Sequence, residues 1–168
     1  MSIVFSTCDL CDVYKAETSG WLRVLPPVLH SYGGRRVFAG TAVTVQCLED
    51  NSLVKRLLDM PGQGRVLVVD GGGSQRKALV GGNLAAAGAR NGWAGVVVYG
   101  CVRDAVELRA ADVGILALGL MPMPTTKREQ GLQDLVVDIA GVRVAPGDWV
   151  YADEDGVLVA DRALHTLR

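Results

Sequence analysis

Three short apolar runs stand out in the middle of the chain: VLVVD at 66–70, AGVVVYG at 94–100 and GILALGL at 114–120. Runs of this length are typical of strands that are covered on both faces of a sheet. An alanine-rich helical segment, 83–91, separates the first two runs, and a short helix from Asp104 to about Ala111 is predicted between the last two. Strands that alternate with helices predict an α/β domain with parallel strands at its centre.

The first part of the chain predicts two further helices and one strand. Capping residues at Ser6 or Thr7 precede apolar positions at helical spacing, which predicts a helix that continues to about Ala16. The β-branched segment 37–49, VFAGTAVTVQCLE, predicts a strand. The sequence Asp50-Asn51-Ser52 then supplies capping residues for a helix over 53–60 that ends at Pro61-Gly62.

The last third of the chain changes character. Segment 135–160 reads LVVDIAGVRVAPGDWVYADEDGVLVA, with turn residues at Gly141, Pro146-Gly147 and Asp155-Gly156. Short strands between turns of this kind predict a β meander rather than another strand–helix unit. A further short strand is predicted at 78–80. The sequence therefore predicts one α/β domain over residues 1–168, with a mixed sheet.

Composition and charge narrow the classes of function. Of the 168 residues, 49% are hydrophobic and 21% charged, which predicts a compact domain with its own core. The 17 basic and 18 acidic residues give a net charge of −1, so no overall field favours direct binding to nucleic acid or to a membrane surface. No apolar run approaches the roughly 20 residues of a membrane span. Without a basic leader, we expect a cytoplasmic protein with reduced cysteines.

A zinc site is not expected at the pair Cys8 and Cys11, although their spacing is that of zinc and redox motifs. Zinc needs two further ligands, and the chain has no second cysteine pair and only two histidines, His30 and His165. We interpret the two cysteines as small buried residues on one face of the first helix, and the two histidines as surface residues.

Several common catalytic motifs are excluded by spacing. The loop Gly71–Arg76 places arginine where a dinucleotide-binding loop needs its third glycine, and no acidic residue follows at the required distance. No phosphate-binding loop of the G-x-x-x-x-G-K-[ST] type and no G-x-S-x-G nucleophile motif occurs.

A candidate site remains where the predicted parallel strands end. The turn Gly81-Gly82-Asn83-Leu84 opens a helix, and backbone amides at a helix start favour an anion. Arg103 can bind the same carboxylate through two hydrogen bonds, while Asp104 offers a hard oxygen to a Mg²⁺-like ion, and Glu107 lies one turn further on. From these residues alone, an ion pair or a helix cap is the more usual interpretation of Arg103-Asp104 at the end of a strand.

The spacing from Gly82 through Arg103-Asp104 to Glu107 resembles the G-x20-R-D-x2-E/D pattern of the class II 4-hydroxy-4-methyl-2-oxoglutarate aldolases. Other blocks are similar to that family and to its relative, the regulator of ribonuclease E activity A. These blocks, in chain order, are DLCDVY, YGGRRVFAG, CLEDNSLVK, GRVLVVDGGGS, NGWAGVVVYGCVRD and VYADEDGVLVA.

The resemblance implies a swivelling β/β/α fold of the RraA-like type, a homotrimer with active sites at subunit interfaces, and a metal-dependent pyruvate aldolase with Mg²⁺ or Mn²⁺. By the same resemblance, the turn Gly81–Leu84 binds the pyruvyl carboxylate, Arg103 binds the carboxylate or the 2-oxo oxygen, and Asp104 holds the metal. Glu107 completes the motif through water. Oxaloacetate decarboxylation is expected as a side activity because it passes through the same pyruvate enolate.

Two questions stay open at the level of sequence. The general base could be Glu49, Asp50, Asp70 or a metal-bound water. The alternative function is a non-catalytic regulator that binds and inhibits ribonuclease E, and the resemblance implies that such regulators lack the aspartate after the arginine. The presence of Asp104 therefore favours the aldolase.

Overall fold

The computed structural model describes residues 2–165, which form four helices and twelve strands. The helices are α1 (Thr7–Tyr14), α2 (Ser52–Leu58), α3 (Gly82–Arg90) and α4 (Ala105–Ala110). The strands are β1 (Leu22–Val24), β2 (His30–Ser31), β3 (Phe38–Gln46), β4 (Val66–Asp70), β5 (Ala78–Val80), β6 (Gly95–Val102), β7 (Gly114–Leu120), β8 (Leu132–Gln133), β9 (Val137–Ile139), β10 (Val142–Val144), β11 (Trp149–Ala152) and β12 (Val157–Ala160).

Four parallel strands in the order β3-β4-β6-β7 form the centre of the main sheet. Strand β4 shows why the apolar runs lack alternation, since every one of its residues is buried. Val66 and Val68 pack into the core on one face, and Leu67 and Val69 pack into the core on the other. Successive side chains of a strand point to opposite faces, so the four core-facing residues Val66 to Val69 are all apolar, and only Asp70 at the end of the strand is charged.

The two faces of this sheet are covered by different kinds of structure. Apolar residues of α2, α3 and α4 fill one core, including Leu57, Leu84 and Leu108. Strands β9 to β12 fill the core on the opposite face, with Ile139 and Val150 among the buried residues. The result is three layers, two of strands and one of helices, which confirms the predicted α/β fold class.

Strand β3 joins the two strand layers. Its first half, Phe38 to Thr41, pairs antiparallel with β11, and its second half, Ala42 to Gln46, pairs parallel with β4. Beyond β11 the sheet continues through β12 to β1. The last third therefore forms short antiparallel strands as expected, but as two hairpins, β9–β10 and β11–β12, that belong to different sheets rather than as one meander. Both hairpins pack back onto the strands of the first two thirds.

Most predicted elements are confirmed, with shifted ends. Strand β6 begins one residue later than predicted and continues to Val102, because β5 pairs with its last residues. Strand β3 occupies only Phe38–Gln46 of the predicted 37–49, and α1 ends at Tyr14 rather than near Ala16. Among residues 2–165, no helix is long and apolar enough to span a membrane.

Two expectations about individual side chains are wrong. Cys8 is exposed and Cys11 only half-buried, because α1 docks through its first residue, Thr7, whose amide and hydroxyl both donate to the Asp153 carboxylate at 2.7 Å. The other correction concerns His165, which is half-buried, with its Nδ1 2.6 Å from the Tyr151 hydroxyl. His30 is exposed, as predicted.

Candidate functional site

The predicted site residues meet because β5 and β6 lie side by side. The two strands are parallel, so the turn after β5, which opens α3, emerges next to the turn after β6, which holds Arg103 and Asp104. The Arg103 amide donates to the Val80 carbonyl at 2.9 Å and fixes the two turns together. A ligand site at the carboxyl ends of parallel strands is the usual arrangement in α/β sheets.

Asp104 has a left-handed backbone, with φ 65° and ψ 53°. This region is unfavourable for most residues with a side chain, although aspartate tolerates it better than most. The conformation turns the carboxylate away from α4, for which Asp104 provides no side-chain cap, and Oδ2 instead accepts a hydrogen bond from the Gly82 amide at 2.8 Å. Asp104 is exposed, so its carboxylate is accessible to solvent and to an ion.

Gly81 and Gly82 are required at this turn by close approach. A Cβ atom on Gly81 would lie 2.7 Å from Asp104 Oδ2 and 3.4 Å from Arg103 Cγ. A Cβ atom on Gly82 would lie 2.8 Å from Glu107 Cβ. Any larger residue would push the Asp104 carboxylate or the Glu107 side chain aside, so the two glycines set the distance between the start of α3 and the Arg103-Asp104 turn.

The start of α3 offers two backbone donors to a ligand. The first amides of a helix have no partner within the helix, and Gly81 provides no side-chain cap. The Gly82 amide is taken by Asp104, which leaves the amides of Asn83 and Leu84. These donors and the helix dipole favour an anion at this end of α3.

A cavity of about 160 Å³ lies where these groups meet. Its lining includes the whole turn Gly81–Leu84 together with Arg103 and Asp104. The volume is below the roughly 300–1,000 Å³ of typical small-molecule pockets, which favours a ligand of few atoms. A larger groove of about 520 Å³ lies between the Pro26-Pro27 segment and the turn 153–156, but none of the predicted site residues lines it.

Four polar lining residues are not among the site residues predicted from the sequence: Asn51, Lys55, Thr125 and Lys127. Asn51 and Lys55 belong to the start and body of α2, and the other two belong to an extended segment that crosses the cavity. The sequence predicts only a capping role for Asn51, whose side chain forms no cap hydrogen bond. Asn51 and Lys55 lie in the block CLEDNSLVK, but the sequence predicts no role at the cavity for any of the four, because only the folded chain brings them there.

The extended segment, residues 122–130, is called the strap below. Its Pro122 carbonyl accepts from Arg103 Nη1 at 3.2 Å, and its Met123 carbonyl accepts from the Ala78 amide at 2.8 Å. Further along, the Thr125 hydroxyl donates to Asn51 Oδ1 at 2.8 Å. The strap is thus held by groups on both sides of the cavity.

Asp50 anchors the other end of the strap and is buried. Its carboxylate accepts hydrogen bonds from the Ser52 amide and hydroxyl and from the amides of Arg128 and Gln130. Burial alone would raise its pKa, but these donors outweigh burial and lower the pKa of Asp50 to about 2. A carboxylate with four donors has a structural role, so we discard Asp50 as a candidate general base.

Glu49 and Asp70, the other two acidic candidates for the base, do not line the cavity. Glu49 accepts from the Ser74 hydroxyl and pairs with Arg76, and these contacts lower its pKa despite some desolvation. Asp70 is buried, and its Oδ1 accepts from the Gly72 amide at 2.9 Å. Neither acid is placed to reach a ligand bound at the turn of the same chain.

The donor set fits a hard divalent ion that retains most of its water. No group of three or more His, Cys, Asp or Glu side chains suited to a metal occurs within residues 2–165. Asp104 provides one accessible carboxylate in the cavity, and Glu107 is exposed on α4 beside Gly82, outside the cavity lining. Mg²⁺ commonly binds through one or two carboxylates plus substrate and water, whereas structural zinc needs four protein ligands.

Comparison with known proteins finds relatives along nearly the whole chain. The sequence profile of the RraA-like family, described as Aldolase/RraA, matches residues 7–159. A protein of Albidiferax ferrireducens, described as a proposed 4-hydroxy-4-methyl-2-oxoglutarate aldolase, is 58% identical in an alignment that covers 95% of this chain and 97% of the relative. A Burkholderia mallei protein with the same description is 56% identical over 163 residues, which cover 96% of this chain and 99% of the relative.

Two solved structures share the whole fold. The RNA-processing inhibitor RraA from Thermus thermophilis has a TM-score of 0.90 at 44% identity and covers 99% of this chain and 98% of its own. A Geobacillus kaustophilus protein, described as an S-adenosylmethionine:2-dimethylmenaquinone methyltransferase, has a TM-score of 0.89 at 44% identity and covers 95% of this chain and 97% of its own. With its profile match over most of its length and these close relatives, the chain belongs to the Aldolase/RraA family.

Proposed function

We propose that this protein is a divalent-metal-dependent aldolase that cleaves 4-hydroxy-4-methyl-2-oxoglutarate into two molecules of pyruvate. Oxaloacetate decarboxylation would be a second activity of the same site, since both reactions generate the enolate of pyruvate. One observation supports the proposal above all: Arg103, Asp104 and the turn Gly81–Leu84 line one small cavity. The description of the relatives at 56–58% identity as aldolases supports it independently.

In this proposal, the chain's own residues would bind the oxo acid. The amides of Asn83 and Leu84, at the positive end of α3, would bind the pyruvyl carboxylate. The Arg103 guanidinium lies on the same cavity and would donate to the 2-oxo oxygen, where negative charge develops when the C3–C4 bond breaks. Its contact with the Pro122 carbonyl holds the guanidinium in place before substrate arrives.

Asp104, with Glu107 acting through water, would hold the Mg²⁺ or Mn²⁺ ion. When bound there, the ion would act as a Lewis acid that polarises the 2-oxo group. The Gly82 amide orients the Asp104 carboxylate toward the cavity. This contact gives the glycine turn a second role beside substrate binding.

The proton of the C4 hydroxyl would be removed by a base that the described cavity does not itself contain. We propose that the working protein is a cytoplasmic homotrimer and that its active sites lie at subunit interfaces. A neighbouring subunit could then bring an acidic side chain such as Glu49 or Asp70 to the substrate, or a bound water could accept the proton.

Replacement of Asp104 tests the proposal directly. We expect Asp104→Ala to abolish the Mg²⁺-dependent release of pyruvate from both oxo acids, because Ala removes the only carboxylate that lines the cavity within residues 2–165. Pyruvate release is followed with a coupled lactate dehydrogenase assay, with added Mg²⁺, with added Mn²⁺ and with a chelator. The exposed Asp9→Ala serves as the matched control. Undiminished turnover by Asp104→Ala would refute the metal assignment.

A second candidate function is regulation of RNA processing, favoured by the likeness to the Thermus RraA structure. The chain would then bind ribonuclease E as a protein partner, without turnover of oxo acids. A pull-down with purified ribonuclease E, together with an RNA-cleavage assay, separates the two functions. Binding and inhibition without pyruvate release would favour the regulator.

A further inference from the structure

The cavity has more positive side chains than are needed to bind one carboxylate of a ligand. Its lining includes three cationic side chains, Lys55, Arg103 and Lys127, against one carboxylate, that of Asp104. In the proposed function, Arg103 and the amides of α3 bind the pyruvyl end of the substrate, and Asp104 faces a cation. The two lysines then remain without a role in binding that end.

The two lysines reach the cavity from different elements. Lys55 projects from α2, and Lys127 belongs to the strap. Both lie on the same cavity as Arg103, whose backbone is fixed to β5. A ligand with anionic groups at both ends could therefore contact the α3 amides and Arg103 at one end and the lysines at the other.

Neither lysine is committed to a strong contact. Lys55 pairs with Asp59 at 2.8 Å, but both side chains are about half exposed, and an exposed pair of this kind contributes little to stability. Lys127 is exposed and forms no ion pair within the described part of the chain, residues 2–165. Both ammonium groups are thus available to an anion.

Successive side chains of the strap face opposite sides, and this places Lys127 on the 160 Å³ cavity. Thr125 and Lys127 line the 160 Å³ cavity, whereas Thr126, Arg128 and Gln130 line a separate cavity of about 220 Å³. Side chains of an extended segment point alternately to opposite sides. Because Thr125 is bound to Asn51 and the Arg128 amide to Asp50, Lys127 is held between two anchored neighbours.

We infer that Lys55 and Lys127 form a subsite for the second carboxylate of a dicarboxylic 2-oxo acid and determine the preference for such acids over monocarboxylic ones. The inference rests on the proposed function, because it places the pyruvyl end at the α3 turn. It goes further in assigning the far end of the ligand to two residues for which the sequence predicts no role.

A pair of acids of equal carbon number tests the subsite without turnover. Both 2-oxoglutarate and 2-oxopentanoate have five carbons and a 2-oxo acid end, but only the first has a second carboxylate. Affinities are measured by titration calorimetry in the presence of Mg²⁺ for the wild type, Lys55→Gln and Lys127→Gln. The control is Lys15→Gln, which changes an exposed lysine that does not line the cavity.

We expect the wild type to prefer 2-oxoglutarate, and each cavity variant to bind it roughly 10- to 100-fold more weakly, as is usual when a charge-assisted hydrogen bond is lost. Affinity for 2-oxopentanoate should change far less. An equal loss for both acids, no loss for either, or a wild type without preference would overturn the inference. Pyruvate release is measured separately, so a selective loss of diacid binding in a protein without turnover would refute the aldolase and retain the subsite.

Discussion

The Gly81→Ala substitution probes the narrowest contact of the site. The new Cβ would lie 2.7 Å from Asp104 Oδ2, which is closer than any ordinary contact, so the carboxylate must move by several tenths of an ångström. The hydrogen bond from the Gly82 amide to that oxygen, now 2.8 Å, would be lost or bent. The group that binds the metal in the proposed function would then be misplaced.

The expected effects on stability and on activity differ in size. Gly81 has φ −125° and ψ −168°, which alanine can adopt, so a gain of about 0.4–1 kcal/mol from a less flexible unfolded chain is expected. Loss of the hydrogen bond to the exposed Asp104 costs about 0.5–1.5 kcal/mol, and the two effects nearly cancel. Activity should fall far more, since displacement of a catalytic group by about 1 Å can reduce the rate about 10²-fold.

Two measurements distinguish these effects. Urea unfolding should give a free energy of unfolding within about 1 kcal/mol of the wild type, while kcat/KM for oxaloacetate should fall by about 10²-fold. Gly156→Ala is the matched control because a Cβ there meets nothing within 4 Å and Gly156 does not line the cavity. A Gly81→Ala variant with the kcat/KM of the wild type would show that the close approach of turn and carboxylate is unimportant.

Two further predictions concern Arg103 and Asp50. Arg103→Lys keeps the charge but not the paired donors, so kcat for pyruvate release should fall at least tenfold, about 1.4 kcal/mol; near-normal kcat would contradict a two-donor contact. The pKa of Asp50 is lowered to about 2 in the folded protein. The Asp50 carboxylate therefore contributes fully to the free energy of unfolding above its unfolded pKa of about 3.9, and this contribution is lost as the pH falls toward 2. In urea unfolding, Asp50→Asn should therefore be less stable than the wild type by roughly 2–3 kcal/mol at pH 6, and by less at pH 2.5. An equal difference at the two pH values would contradict the lowered pKa of Asp50.

Sequence reasoning succeeded where the chemistry was local. The runs at 66–70 and 94–100 are apolar except for Asp70 at the end of the first, because both faces of the sheet are covered, and this pattern predicted two neighbouring parallel strands. Glycines before a helix and the pair Arg103-Asp104 after a strand identified the two turns that meet at the cavity. In both cases, a property of a few consecutive residues determines the structure.

The rest depends on contacts between distant parts of the chain. Lys127 follows Lys55 by more than 70 positions, and only the strap, anchored by Asp50 and Asn51, brings them to one cavity. The exposure of Cys8 was missed for a similar reason, since Thr7 and Asp153 determine how α1 docks. The spacing of apolar residues along one face of a helix cannot by itself indicate which turn of the helix is buried.

The pairing of β1 with β12 has a consequence for how the protein is made. The first strand of the fold finds its partner in the last, and the start of α1 is bound by Asp153 of the turn that precedes β12. Native contacts between the two ends of a chain form slowly, because a long loop must close first. During synthesis, β1 is made long before β12, so a polypeptide that ended before residue 157 would leave β1 without its partner strand.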